Sequence, residues 1–290
     1  MGLNSKFPIA KAKERVLIKA IGLSDEVSVN GRCGSLSFIT AFEYFQRRER
    51  VEYLTTGCKA LDDILGGGVE TGSITELCGE YGTGKTQLCH QLCVTSLLPR
   101  ASGGLNGAAV FLDTEGTFRP KRLAEIAPRF GLEPKQVLCK TLYARVYSAE
   151  QQMTLIDEVD EVIEEHNIRL IVIDSLLSLF RGEFIGRESL VERQQKLNRH
   201  LHQLRRVAES YNLAIVVTNQ VLSVPEGSTL SFIKPAGGNI MAHGCTHRLW
   251  LRRVQGSKRA AKVFDSPNRP EAEALFIIAE DGVKDLLGAD

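Results

Sequence analysis

Little in this 290-residue sequence points toward a membrane or the outside of the cell. No apolar run is long enough to cross a bilayer. The first residues, MGLNSKFPIAKAKERVL, contain nothing like the apolar h-region of a secretory leader. The Met-Gly start is not followed by Ser or Thr where N-myristoylation requires one. Among seven cysteines there is no Cys-x-x-Cys pair and no Cys/His spacing of the kind that holds zinc. They read as small buried hydrophobes of a reducing compartment, with Cys89 and Cys93 on one face of a predicted helix. The expectation is an intracellular protein. Internal repeats and low-complexity tracts are absent too. The charge is nearly balanced, 36 basic against 35 acidic residues, which excludes a polycation that coats nucleic acid over its whole surface.

The balance hides an uneven distribution. Between Gly227 and Phe264 there is no Asp or Glu, while Lys234, Arg248, Arg252, Arg253, Lys258, Arg259 and Lys262 are all basic. A localised basic surface is a better sign of nucleic-acid contact than total charge, although an ordinary solvated face has the same composition.

From Ser73 onward, apolar runs alternate with helix-like patterns. SITELCG (73–79), AAVFLDTE (108–115), LCKTLYARVYS (138–148), RLIVIDS (169–175) and LAIVVTNQV (213–221) read as strands. Helices are expected at about 85–97, 120–130, 149–166 and 188–211, the last with Leu190, Leu197, Leu201, Leu204 and Ala208 on one stripe. Continuous apolar strands with helices between them predict an α/β fold with a mostly parallel sheet covered on both faces. Residues 222–244 are too long for an ordinary connection. Beyond them THRLWLRR, AAKVFD and EALFIIAEDGV follow without helices, as antiparallel hairpins added to one edge.

GEYGTGKT, from Gly79 through Glu80, Tyr81, Gly82, Thr83 and Gly84 to Lys85 and Thr86, fits G-x-x-x-x-G-K-[ST]. Glycines let successive N–H groups curl around phosphate oxygens, and the helix that follows turns its positive end toward them. Lys85 is placed to reach the β/γ-phosphates, and the Thr86 hydroxyl to ligate Mg²⁺. Asp174, ending an apolar strand, is the candidate second carboxylate behind the metal. Hydrolysis also needs a group that orients or deprotonates the attacking water. Glu115 is the candidate, with Asp113 on the same strand directed inward. Gln220, at a third strand end and leading into the long loop, stands where a γ-phosphate sensor belongs.

Several further motifs then make the chain resemble the RecA-type strand-exchange recombinases, in their archaeal RadA and eukaryotic branch. They are TTGCKALDDILGGGVETGSITE, GTGKTQLCH, DTEGTFRPKRL, ERQQKL, VVTNQV, GGNIMAH and FDSPNRPEAEA. TAFEY and QLCVTSLLP lean toward the eukaryotic meiotic recombinase, and GGLNG toward the archaeal proteins. The resemblance implies a RecA-like P-loop ATPase core with ATP and Mg²⁺ as cofactors. Lys85, Thr86 and Gln87 would bind the nucleotide, Asp174 would support the metal, Glu115 would activate water, and Arg122 would pack on adenine. Pro270 would cover that adenine from a neighbouring subunit, and His243 would approach the γ-phosphate across the same interface. Two loops would bind DNA: about 181–189, with Arg181 and Arg187, and about 222–242, with Phe232, Lys234, Gly237 and Gly238. Phe38 and Ala41, in SFITAFEYF, would plug into the next subunit by strand addition.

The implied organisation is a short N-terminal segment over 1–35, truncated or divergent against the family's helical DNA-binding domain, a polymerisation segment over 36–47, and an ATPase core over 48–290. GRE puts Glu188 where the family has glycine, and RRVQG replaces a more basic stretch. The resemblance implies single- and double-stranded DNA, further copies of the chain in a filament or ring, and recombination mediators as partners, with no membrane. It implies the nucleus as location, or the cytoplasm and nucleoid for an archaeal protein. Two functions compete. One is a DNA-dependent ATPase that forms filaments and exchanges strands in break repair; the other is a mediator paralogue that binds ATP and partner recombinases without exchange. A ring-helicase motor is disfavoured by the FITA segment.

Overall fold

The computed structural model describes residues 38–186, 188–224 and 232–286. The segment expected over 1–35 lies outside them, as does Arg187. The strands are β1 (Tyr53–Leu54), β2 (Val69–Glu70), β3 (Ser73–Gly79), β4 (Ala108–Asp113), β5 (Thr141–Arg145), β6 (Ile168–Asp174), β7 (Ala214–Asn219), β8 (Val221–Val224), β9 (Phe232–Pro235), β10 (His247–Arg253), β11 (Lys258–Asp265), β12 (Ala272–Ala279) and β13 (Gly282–Asp285). The helices are α1 (Ala41–Arg48), α2 (Lys59–Leu65), α3 (Lys85–Thr95), α4 (Pro120–Ile126), α5 (Pro134–Cys139), α6 (Ala149–Asp157), α7 (Val159–His166), α8 (Ser178–Glu183), α9 (Leu190–Tyr211) and α10 (Gly238–Gly244).

Nine strands form one sheet in the order β13-β12-β11-β10-β3-β7-β6-β4-β5. Strands β10, β3, β7, β6, β4 and β5 run parallel, and β11 to β13 continue the sheet antiparallel. This is the expected mostly parallel α/β sheet with antiparallel strands at one edge. The edge begins one strand later than expected, because THRLWLRR pairs parallel to β3 and only then turns back.

Alternation along the strands divides the core in two. Leu170 and Val172 face one side of β6 with Leu88, Leu92 and Cys93 of α3, while Ile171 and Ile173 face the other with Leu197, Leu201 and Leu204 of α9. Covering both faces explains why the central strands are apolar at every position. Helix α3 is buried on all sides from Leu88 to Thr95, so the helix after the glycine-rich loop is held rigidly inside the molecule.

Four local expectations are corrected. The helix expected over 149–166 is two, broken at Glu158, whose backbone ends one and begins the other. Leu190 lies on the exposed first turn of α9, and His200 and Val207 complete the buried stripe instead. The stretch 222–244 is not all loop, since β8 and β9 pair antiparallel and α10 follows. Five of the six described cysteines are buried, but Cys139 is exposed at the end of α5.

Candidate functional site

The C-terminal ends of β3, β4, β6 and β7 open into a cavity of roughly 970 Å³, the place where open α/β sheets bind ligands. Residues 79–86 curl across its floor. Gly79 and Gly84 have positive φ, 156° and 104°. A Cβ at Gly79 would run into the Leu251 carbonyl oxygen, and one at Gly84 would meet Ile278 Cδ1 at 2.7 Å. Only glycine fits these positions. Gly84 also caps α3 without a side-chain bond, so the first N–H groups of that helix are open to an anion.

Lys85 Nζ donates to the carbonyls of Gly79 and Glu80 at 2.8 and 2.9 Å. Burial pulls its pKa below the ordinary lysine range, against the opposing pull of Asp174 and Glu115. Thr86 Oγ1 donates to Asp174 Oδ2 at 2.6 Å. Thr218 donates to the other oxygen of that carboxylate, and Thr117 Oγ1 lies 3.4 Å from Oδ2. Burial raises the Asp174 pKa above the usual carboxylate range, although the Thr218 and Thr86 hydroxyls oppose it. Glu115, exposed at the rim, accepts from Ser175 Oγ at 2.8 Å and Gln220 Nε2 at 3.0 Å. Gln220 Oε1 in turn lies 3.4 Å from Arg181 Nη1. The cleft thus brings Lys85, Thr86, Asp174, Glu115 and Gln220 together from four strand ends.

Other residues named from the sequence fall into four groups. Glu80, Tyr81, Gly82, Gln87 and Arg122 line the same cleft, and Thr83 is buried beneath it, donating to Glu80 O. Arg122 Nε donates to Gln87 at 2.7 Å and Nη2 to Ala279 O at 2.6 Å, which fixes its guanidinium plane at the rim. His243 and Pro270 are exposed and stand away from this cleft. His243 lines a separate cavity of roughly 480 Å³ between α9 and α10. Lys234, Gly237 and Gly238 are exposed around β9 and the start of α10, and Phe232 is the first residue of β9. Phe38 is 99% exposed and Ala41 begins α1, a helix with no buried residue that starts with a Thr40–Glu43 capping box.

Sequence reasoning missed Thr218, Ser175, Thr117 and Arg259. Thr218 is on β7, two residues before Gln220, which follows that strand, so alternation carried to the strand end pointed to it. Arg259 carries no such signal: it reaches Gly82 O at 3.3 Å from β11, a strand distant in the chain.

A family model described as Rad51 matches residues 47–286. The chain is 45% identical to the DNA repair protein RAD51 of Saccharomyces cerevisiae, across 98% of its own length and 73% of that protein's. It is also 45% identical to the DNA repair and recombination protein RadA of Cenarchaeum symbiosum, across 86% of its own length and 62% of that protein's. The chain belongs to the Rad51 family, within the archaeal and eukaryotic branch of the RecA-type recombinases.

Proposed function

We propose that this chain is a DNA-dependent ATPase that polymerises on single-stranded DNA and exchanges strands with homologous duplex. The observation that carries the reading is the run of contacts Glu115–Gln220–Arg181, which links the residue that would activate water to the two segments that would bind DNA. Gln220 opens into β8 of the second loop, and Arg181 belongs to the first.

The cleft fits ATP with Mg²⁺. Its glycines admit close approach of a phosphate, and Lys85 sits on loop carbonyls that a triphosphate's negative oxygens would replace as partners. A hydroxyl and one carboxylate are a donor set suited to Mg²⁺, which takes few protein ligands beside phosphates and water. Among the described residues no cluster of three or more His, Cys, Asp or Glu could hold a metal by itself. When bound, Mg²⁺ draws charge from the phosphates. Thr86 and Asp174 would hold it, Lys85 would neutralise the β/γ oxygens, and Glu115 would take a proton from the attacking water as ADP and phosphate separate. Gln87 and Arg122 would face the base.

His243 and Pro270 stand on the surface away from the chain's own cleft, which suits contributions to a neighbour's. Among the described residues β5 is the outermost strand of the parallel part of the sheet, and Phe38 to Thr40 is an exposed segment outside regular structure. Strand addition of one onto the other would build a filament or ring. Exposed Lys234 and glycines 237 and 238 would track DNA phosphates without reading sequence, and Phe232 would wedge between bases. The natural setting is recombination and break repair, in the nucleus and in meiosis for a eukaryotic source, with mediator proteins as further partners.

A strand-exchange assay with homologous and heterologous duplex tests the reading. Joint molecules with the homologous duplex alone are expected. ATP hydrolysis without joint molecules would make the chain a mediator instead.

A further inference from the structure

The loop after β4 carries Glu115 and Thr117, yet its backbone has no neighbouring strand to pair with. Unpaired N–H groups in a part-buried turn need acceptors. Here one side chain supplies them all. Asp113 Oδ1 accepts from the N–H of Glu115, Gly116 and Thr117 at 3.1, 2.6 and 3.2 Å, and Oδ2 accepts from Phe118 N–H at 3.1 Å. Arg145 on β5 donates to the Asp113 carbonyl at 2.7 Å and stands 3.6 Å from Oδ1, while Tyr143 Oη lies 3.4 Å from Oδ2. Burial alone raises this carboxyl, but the four backbone bonds bring it below the usual range. Asp113 is only 1% exposed and is not among the residues that line the cleft.

We propose that Asp113 is a positioning residue for hydrolysis, folding the 115–118 loop around its carboxylate so that Glu115 and Thr117 enter the cleft together. The inference rests on the assignment of Glu115 as the group that activates water. The far end of the loop is fastened independently: Arg119 N–H donates to His90 Nε2 at 3.2 Å, and the Phe118 ring packs 4.8 Å from those of Phe111 and Tyr143. Loss of Asp113 therefore frees the segment that bears Glu115 while the rest of the fold stays attached. Misplacing a reacting group by about 1 Å is enough to lose on the order of a hundredfold in rate.

The test compares D113A, D113N, E115Q and the two double variants, reading DNA-stimulated ATPase and the binding of a fluorescent ATP analogue. D113A should lower kcat on the order of a hundredfold, with KM and analogue affinity within about threefold of the parent. D113N keeps an oxygen for the three Oδ1 bonds and should fall between the two. In the E115Q background either change should cost less than about threefold more, because both act through one group. Losses that multiply, a D113A kcat equal to the parent beside an inactive E115Q, or turnover and nucleotide affinity falling together would overturn the proposal. If D113A does not fold, the isosteric D113N decides it by the same cycle. An E115Q protein with full turnover would instead refute the Glu115 assignment on which the proposal rests, and the variant that fails tells the two apart.

Discussion

Replacing Arg248 with Met should be among the most damaging single changes outside the cleft. Arg248 on β10 and Glu76 on β3 stand in register, with Nε 2.5 Å from Oε2, and both are buried. Glu76 also accepts from Asn219 Nδ2 at 2.6 Å, and Asn219 donates to Ala236 O at 2.8 Å. Arg248 has weaker partners besides, Asp265 at 3.6 Å and the Phe264 ring at 4.7 Å. The Met variant fills most of the volume but leaves a carboxylate in the sheet interior with one amide for company. Removing one partner of a buried pair costs about 3–5 kcal/mol, against a total stability of roughly 5–15 kcal/mol. Urea denaturation at neutral pH measures it. The E76M/R248M double variant should recover most of the loss, short of full recovery by the bond from Asn219, about 1 kcal/mol. A loss below about 1 kcal/mol in R248M, or a double variant no better than the single, would refute the argument that an uncompensated charge is the cause.

Lys85→Ala should abolish ATP binding, while Lys85→Arg should bind ATP and fail to turn it over, because the planar guanidinium cannot take the place of a point charge between Gly79 O and Glu80 O; nucleotide titration beside an ATPase assay separates the two. Arg181→Ala should lower the slope of log K against log salt for single-stranded DNA by about one, and an unchanged slope would move the contact elsewhere. Glu70 governs acid stability. Burial raises its carboxyl, yet the His247 ring 3.5 Å away and the Arg48 guanidinium, which donates to it at 2.8 Å, bring it down from 4.5 to about 2. Its contribution is therefore complete above about pH 4.5 and lost as pH falls toward 2, so Glu70→Gln should lose stability at neutral pH and match the parent near pH 2. Phe38→Glu would place a carboxylate in an apolar pocket of the neighbour, and light scattering with ATP and DNA should show fragments; long filaments would dismiss the plug.

The glycine-rich loop was legible because its pattern is local: eight consecutive residues hold the glycines, the lysine and the hydroxyl, between a strand and a helix. Asp174, Glu115 and Gln220 could be named for a related reason, since each ends or closely follows an apolar strand and such ends share one rim of a parallel sheet. Strand order was not readable. RLIVID and LAIVVT are the same kind of apolar run, and nothing local says that β7 lies between β3 and β6. The parallel pairing of β10 with β3 was hidden likewise, because its period does not tell parallel from antiparallel. Leu190 was misjudged because a stripe of matching period extends past the point where α9 leaves the core.

The inward direction of Asp113 could be read from alternation, but its work could not. A carboxylate that accepts four backbone N–H groups looks in sequence like any acid near a strand end. What distinguishes Asp113 from Glu115 is burial, and burial is set by β5 closing over it with Tyr143 and Arg145. On the assembly proposed above, β5 is also the edge where a neighbour's segment would add. The same edge strand would then support the catalytic loop from inside one subunit and receive the next from outside. On that arrangement hydrolysis would rise with assembly, as it would if His243 and Pro270 acted across the interface. An Arg145→Met variant separates the two causes: it should blunt the rise in kcat on filament formation while leaving the dependence on His243 intact.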